Sequence, residues 1–213
     1  MERNNVILIL DNGHEQSVLP AKCSPYFDDG KTRLEEWAYN RVIVNKLAEV
    51  MRAEGVEVHI TVPEKVQKIG LTVRANRANK IIASAKKEGK TCLFISVHVN
   101  AAGSGKWMNA KGWSCFTTKG KTISDTFATK LYEAAHEVLD PIGKKIREDW
   151  SDNDPDWEEN FTVIKKTNCA AVLTENFFMD NKEEAEWLLS EEGISTVVEI
   201  HRRGILKYIE SLK

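Results

Sequence analysis

Leu93-Phe94-Ile95-Ser96-Val97-His98-Val99-Asn100 reads as a strand buried on both faces. Six of its first seven residues are apolar or small, and neither Gly nor Pro interrupts it. Runs of this kind belong to the inner strands of parallel sheets. A histidine stands where the strand should end, and open α/β sheets carry their chemistry at the carboxyl ends of strands.

The surrounding chain fits that sheet. Val6 to Leu10 is a second buried run, followed by the turn Asp11-Asn12-Gly13-His14 and a loop to about Arg33. A helix is expected from near Leu34 to about Glu54, with Gly55 as its stop. Val56 to Thr61 alternates as a strand, and a helix from about Thr72 to Lys87 leads back to the organising run. Gly112–Thr117, Phe161–Ile164 and Ala170–Thr174 read as further strands, with Glu175 closing the last. Helices are expected at Ile123–Val138 and from Lys182 to Leu212. Alternating strands and helices predict an α/β fold: one domain over residues 1–213, a three-layer α/β/α sandwich around a mostly parallel sheet of about six strands.

Composition narrows the function. The chain has 213 residues, 42 % hydrophobic and 29 % charged, which is ordinary for a globular domain. A net charge of −2 offers no basic footprint for nucleic acid. No apolar run is long enough to span a bilayer. Met1 to Asn5 leads straight into a strand without the features of a secretory signal, so synthesis in the cytoplasm is expected. The four cysteines are scattered and read as free thiols. Nothing in the sequence sets an oligomeric state.

Residues 140–160 change character, with eight acidic residues, three basic ones and the tryptophans Trp150 and Trp157. This reads as an irregular acidic insertion, either a solvated loop or a lid or substrate rim.

Four polar residues share one address. His14 follows the first strand, His98 ends the organising strand and Glu175 ends the last. Glu36 opens the helix after the first strand; the spacing 36, 40, 43, 47, 50 puts it on the buried stripe with Asn40, while Glu35 falls on the wetter side. A buried carboxylate needs a cation, either a side chain or a metal. Two histidines and a carboxylate form a common ligand set for catalytic zinc. A second carboxylate suits general acid/base work. The same four residues also fit a structural ion-pair cluster. His59, His136 and His201 read as a solvent-side strand residue, a surface residue and a satisfied core histidine.

Motifs carry a resemblance across nearly the whole chain. Asp11-Asn12-Gly13-His14-Glu15, Glu36-Trp37-Ala38-Tyr39-Asn40, Arg74 to Asn79, Ser96-Val97-His98-Val99-Asn100-Ala101 and Leu173 to Asn181 occur in the order seen in zinc-dependent N-acetylmuramoyl-L-alanine amidases of type 3. The sequence resembles that family. The resemblance implies His14, Glu36 and His98 as zinc ligands, Glu175 as catalytic acid/base and Asn100 as a substrate-binding residue. It implies a hydrolase cutting the amide between N-acetylmuramic acid and L-alanine in peptidoglycan. Asn12 and Glu15 stand where the family has Pro and Gly, and Arg147-Glu148 where it has Arg-Gly. In some relatives a segment near the insertion folds over the zinc. The expected setting is a lysis enzyme, made in the cytoplasm and acting on the cell wall once released. The competing readings are a zinc peptidase or deacylase on another N-acyl substrate, and a non-catalytic wall-binding module.

Overall fold

The computed structural model describes residues 1–103 and 105–212. Six strands form one sheet: β1 (Val6–Asn12), β2 (Glu57–Ile60), β3 (Thr91–Asn100), β4 (Ser114–Thr117), β5 (Trp157–Glu158) and β6 (Ala170–Phe178), in the order β2-β1-β3-β6-β4-β5. β1, β2, β3 and β6 run parallel, and β4 joins β6 antiparallel. The organising strand is thus β3, flanked by the other two apolar runs.

Helices cover both faces: α1 (Glu36–Ala53), α2 (Leu71–Lys87), α3 (Ile123–Leu139), α4 (Thr162–Lys165), α5 (Lys182–Leu188) and α6 (Glu191–Ser211). Val6, Leu8 and Leu10 pack with Ile43 and Leu47 of α1, while Ile7 and Ile9 pack with Ala78 and Ile82 of α2. The period of two sends alternate residues of each inner strand into opposite cores. Leu8, Ile9, Leu10, Phe94 and Ile95 are fully buried. Each such side chain stabilises the fold by roughly 1.5–3 kcal/mol.

Three expectations need correction. Phe161–Ile164 is no strand: Thr162–Lys165 forms a turn of helix, with Val163 and Ile164 buried in the α2-side core. The sixth strand is Trp157–Glu158, inside the acidic insertion. The C-terminal helix is two helices, because Ser190 caps α6 by accepting from the Gly193 N–H (3.0 Å). β6 also continues past Glu175 to Phe178. Of the histidines set aside as structural, His59 pairs with Glu57 and His201 is fully buried, held by Thr174 and the Val197 carbonyl. All four cysteines are free.

His136 of α3 reaches into the insertion. Its Nδ1 stands 3.0 Å from Asp140 Oδ2 and its Nε2 2.9 Å from Glu148 Oε1. Both nitrogens donate only in the imidazolium form. The Glu148 contact, aided by Asp140, raises the His136 pKa against partial burial. A raised histidine contributes stability that is complete below its unfolded pKa of about 6.5 and lost as pH rises through the folded value. His136→Gln is expected to flatten the fall of stability as pH rises above about 6.5, read by urea denaturation. An unchanged slope would detach the insertion's stability from this contact.

Candidate active site

The loop after β1 is held by a buried arginine. Arg74 of α2 is 2 % exposed and contacts Asp11 (3.1 Å), Glu15 (2.6 Å) and the carbonyls of Ile69 and Asn12. Asp11 also accepts from Thr61 and Ser96. Glu15, at the position where the resemblance expects glycine, is therefore turned inward. Removing one partner from such a buried set costs roughly 3–5 kcal/mol.

This scaffold sets His14. Its backbone takes φ 65°, a left-handed conformation rare for a side-chain-bearing residue. Arg41 donates to the His14 carbonyl (3.0 Å), and Asn40 donates to the Gly13 carbonyl (3.0 Å). The apolar stripe placed Asn40 inward, and it is fully buried.

Glu36 opens α1, 1 % exposed. Oε1 accepts from the Val99 N–H (3.1 Å) and lies 3.0 Å from His98 Nδ1. Oε2 has no hydrogen-bond donor, with His14 Nε2 3.2 Å away. Burial raises the Glu36 pKa, but contact with the two imidazoles outweighs it and holds the carboxyl well below its usual range. One atom from each of His14, Glu36 and His98 lies within 4.8 Å of the others. Two imidazole nitrogens set one against each oxygen of a buried carboxylate, with one of those oxygens left without a donor, fit a divalent metal of borderline softness better than a hydrogen-bonded cluster.

His98 lies on Gly13. A Cβ at Gly13 would fall 2.3 Å from His98 Cε1 and 2.5 Å from Nε2, so only glycine leaves room for the ring. Asn176 fixes the other side by donating to the His98 carbonyl (2.9 Å) while accepting from Trp113 Nε1 (3.0 Å). Gly13→Ala is expected to keep the fold and weaken metal binding by about 10–100-fold, the scale of changes that reorient a ligand. Competition with a chelating dye measures it, and wild-type affinity would show that the ring need not move.

Glu175 pairs with His98 across the β3–β6 register, and both side chains point to the α2 side of the sheet. Its Oε2 is buried without a partner. Burial, then the Glu36 charge, pushes its pKa well up, against the charges of Lys22 and Arg147. Two residues on, Phe177 adopts φ 66° where the β3–β6 register shifts. That irregularity lets the strand run on past Glu175. Asn100 ends β3 and turns its Oδ1 to the Ala101 N–H (2.8 Å).

His14, Glu36 and His98 come together from the loop after β1, from α1 and from β3, with Glu175 beside His98 on β6. The family described as N-acetylmuramoyl-L-alanine amidase matches residues 8–207. The chain belongs to this family. Among relatives, the endolysin of Bacillus phage SPP1 is 30 % identical over 136 residues, covering 63 % of this chain and 47 % of that protein. The N-acetylmuramoyl-L-alanine amidase CwlM of Bacillus licheniformis is 29 % identical over 144 residues, covering 66 % and 47 %. The chain thus spans about half the length of the curated relatives it matches. The amidase fold is shared with the N-acetylmuramoyl-L-alanine amidase of Clostridium difficile 630, at a TM-score of 0.75 and 21 % identity, over 99 % of this chain and 100 % of that one.

Sequence reasoning missed Gly13 as the cradle of His98, Asn176 as its brace and Glu15 as a partner of Arg74. Each acts through a contact distant in sequence, and only membership of a motif marked them. The insertion splits: Trp150 is 60 % exposed, whereas Trp157 packs on Arg147 and Phe116. No helix of the described residues is long and apolar enough to cross a membrane.

Proposed function

We propose that this chain is a zinc-dependent hydrolase of peptidoglycan that cleaves the amide between N-acetylmuramic acid and L-alanine. The observation that carries the reading is the buried Glu36 carboxylate with an imidazole at each oxygen and one oxygen without a donor, and a second partnerless carboxyl one strand away. Family membership supports the substrate class.

His14, Glu36 and His98 are the residues that hold zinc. Bound there, zinc supplies Lewis acidity that polarises the scissile carbonyl and lowers the pKa of water. Glu175 takes the proton of the attacking water on its carboxylate and delivers it to the departing alanine nitrogen. The amine leaves only once protonated, and the proton that Glu175 has taken from the water is the one it delivers there. Asn100, at the end of β3, is a substrate-binding residue in this reading, and the insertion forms the rim of the cleft. The site of action is the cell wall.

Digestion of purified peptidoglycan with and without a chelator, read by mass spectrometry of the soluble products, tests this. Free stem peptides beginning with L-alanine, lost with chelator and restored by zinc, are expected. Cuts elsewhere in the peptide would reassign the chain to the peptidases.

A further inference from the structure

Two of the four cysteines stand side by side at the end of the sheet away from the cleft. The β3–β6 register opens with Leu93 opposite Ala170. One step back sets Cys92 of β3 opposite Cys169, the residue just before β6. Both turn the same way. Leu93 and Ala170 pack on the α1 side, whereas Cys92 and Cys169 pack on the α2 side with Phe94 and Ala171. The two also line one cavity of about 280 Å³, together with Ile82, Lys86 and Tyr208. Register, face and cavity agree on the juxtaposition.

Neighbouring strands lie about 4.7–4.9 Å apart. Disulfides bridge Cα separations of about 4.4–6.8 Å. Paired positions on one face of adjacent strands fall within that window. Both thiols are free, and their access differs: Cys92 is buried, whereas Cys169 is half-buried and donates to the Ala170 carbonyl (3.5 Å). Burial pushes the Cys92 thiol up to about 11. Burial, and after it the Cys92 charge, raises that of Cys169. Both therefore stay protonated and slow to react near neutral pH. The other two cysteines are placed differently, Cys115 opposite Thr174 and Cys23 opposite Glu35.

We propose that Cys92 and Cys169 are a disulfide-forming pair that closes by exchange with a small-molecule disulfide. Cys169, the more accessible, loses its proton and attacks first. Its sulfur bonds to one sulfur of the small disulfide, and the other leaves as a thiolate. The Cys92 thiolate then attacks the Cys169 sulfur, forms the protein S–S bond and expels the second small thiolate. The protein gives up two electrons and two protons, and the small disulfide takes them up as two thiols. Counted along each strand, the bond lies six residues before His98 and Glu175, so it fixes the register that sets that pair side by side. The pairing is independent of the amidase reading.

Wild-type protein is held under native conditions with oxidised glutathione at about pH 8.5, where more thiolate forms. It is then alkylated in denaturant and digested with trypsin. Cleavage after Lys and Arg leaves each of the four cysteines on its own peptide. The Cys92 and Cys169 peptides are expected to be recovered joined, with Cys23 and Cys115 still open to alkylation once unfolded. The Tm should rise by about 5 °C or more, the scale of closing a loop of this length, and fall back on reduction. Cys92→Ser should stop at the mixed disulfide, with glutathione on Cys169 and no rise in Tm. The peptide map of the wild type needs no variant to fold. Recovery of Cys92 and Cys169 both alkylated would overturn the pair. So would glutathione left on Cys169 beside an alkylated Cys92, or a bond from either to Cys23 or Cys115.

Discussion

Glu175→Gln is expected to keep its metal and lose about 100-fold or more in turnover, the range that a positioned general acid/base contributes. Glutamine preserves the size of the side chain and fills the same space between β3 and β4. It holds no transferable proton and accepts none. Its neighbours His98 and Ser114 in the register keep their places, so the fold and the ligands should be unaffected. The pair of readouts matters. Metal content by atomic absorption separates a lost proton carrier from a disturbed metal site, and initial rates on a soluble muropeptide give the kinetic loss. Turnover near that of the wild type would remove Glu175 from the reaction.

Glu36→Ala is expected to lose the metal. Its carboxylate is the group on which both imidazoles converge, and it also anchors the Val99 N–H at the end of β3. Its removal should weaken binding by at least about 100-fold, beyond the 10–100-fold typical of groups one layer out. The effect has a thermal signature. A ligand held at about 100 times its Kd stabilises the folded state by about 2.7 kcal/mol. Added zinc should therefore raise the Tm of the wild type and leave that of Glu36→Ala in place. A full zinc complement in the variant would strike Glu36 from the ligands.

The sequence carried the inner sheet clearly because its strands are unbroken apolar runs with turn residues at their ends. The edge strand was illegible for the opposite reason: Trp157–Glu158 is two residues long and shows no periodicity. Phe161–Ile164 misled because aromatic and β-branched residues favour a pleated surface. Here Val163 and Ile164 meet the α2-side core from a helical turn instead. The split of the C-terminal helix at Ser190 was legible in principle, since serine is a strong N-cap. Glu36 was found by helical spacing alone, and the structure buries it as that spacing required. Arg147 was marked by the resemblance alone, because an arginine in an acidic tract otherwise looks like a solvated charge. Only the fold brings Phe178 and Trp157 around Arg147.

The sheet ends at each side in a short strand, four residues in β2 and two in β5. On β2, Glu57 lies exposed with His59 and Lys90 paired to it, so charge lines that border. Exposed strand borders are templates on which a second chain can add its own strand, and short, charged ones resist it. The three long apolar strands, β1, β3 and β6, each have a neighbour on both sides. The protein should therefore stay dispersed at high concentration as long as these two small borders hold. The substitutions that clump it are expected first at Glu57 and Lys90, far from the cleft and without effect on its chemistry.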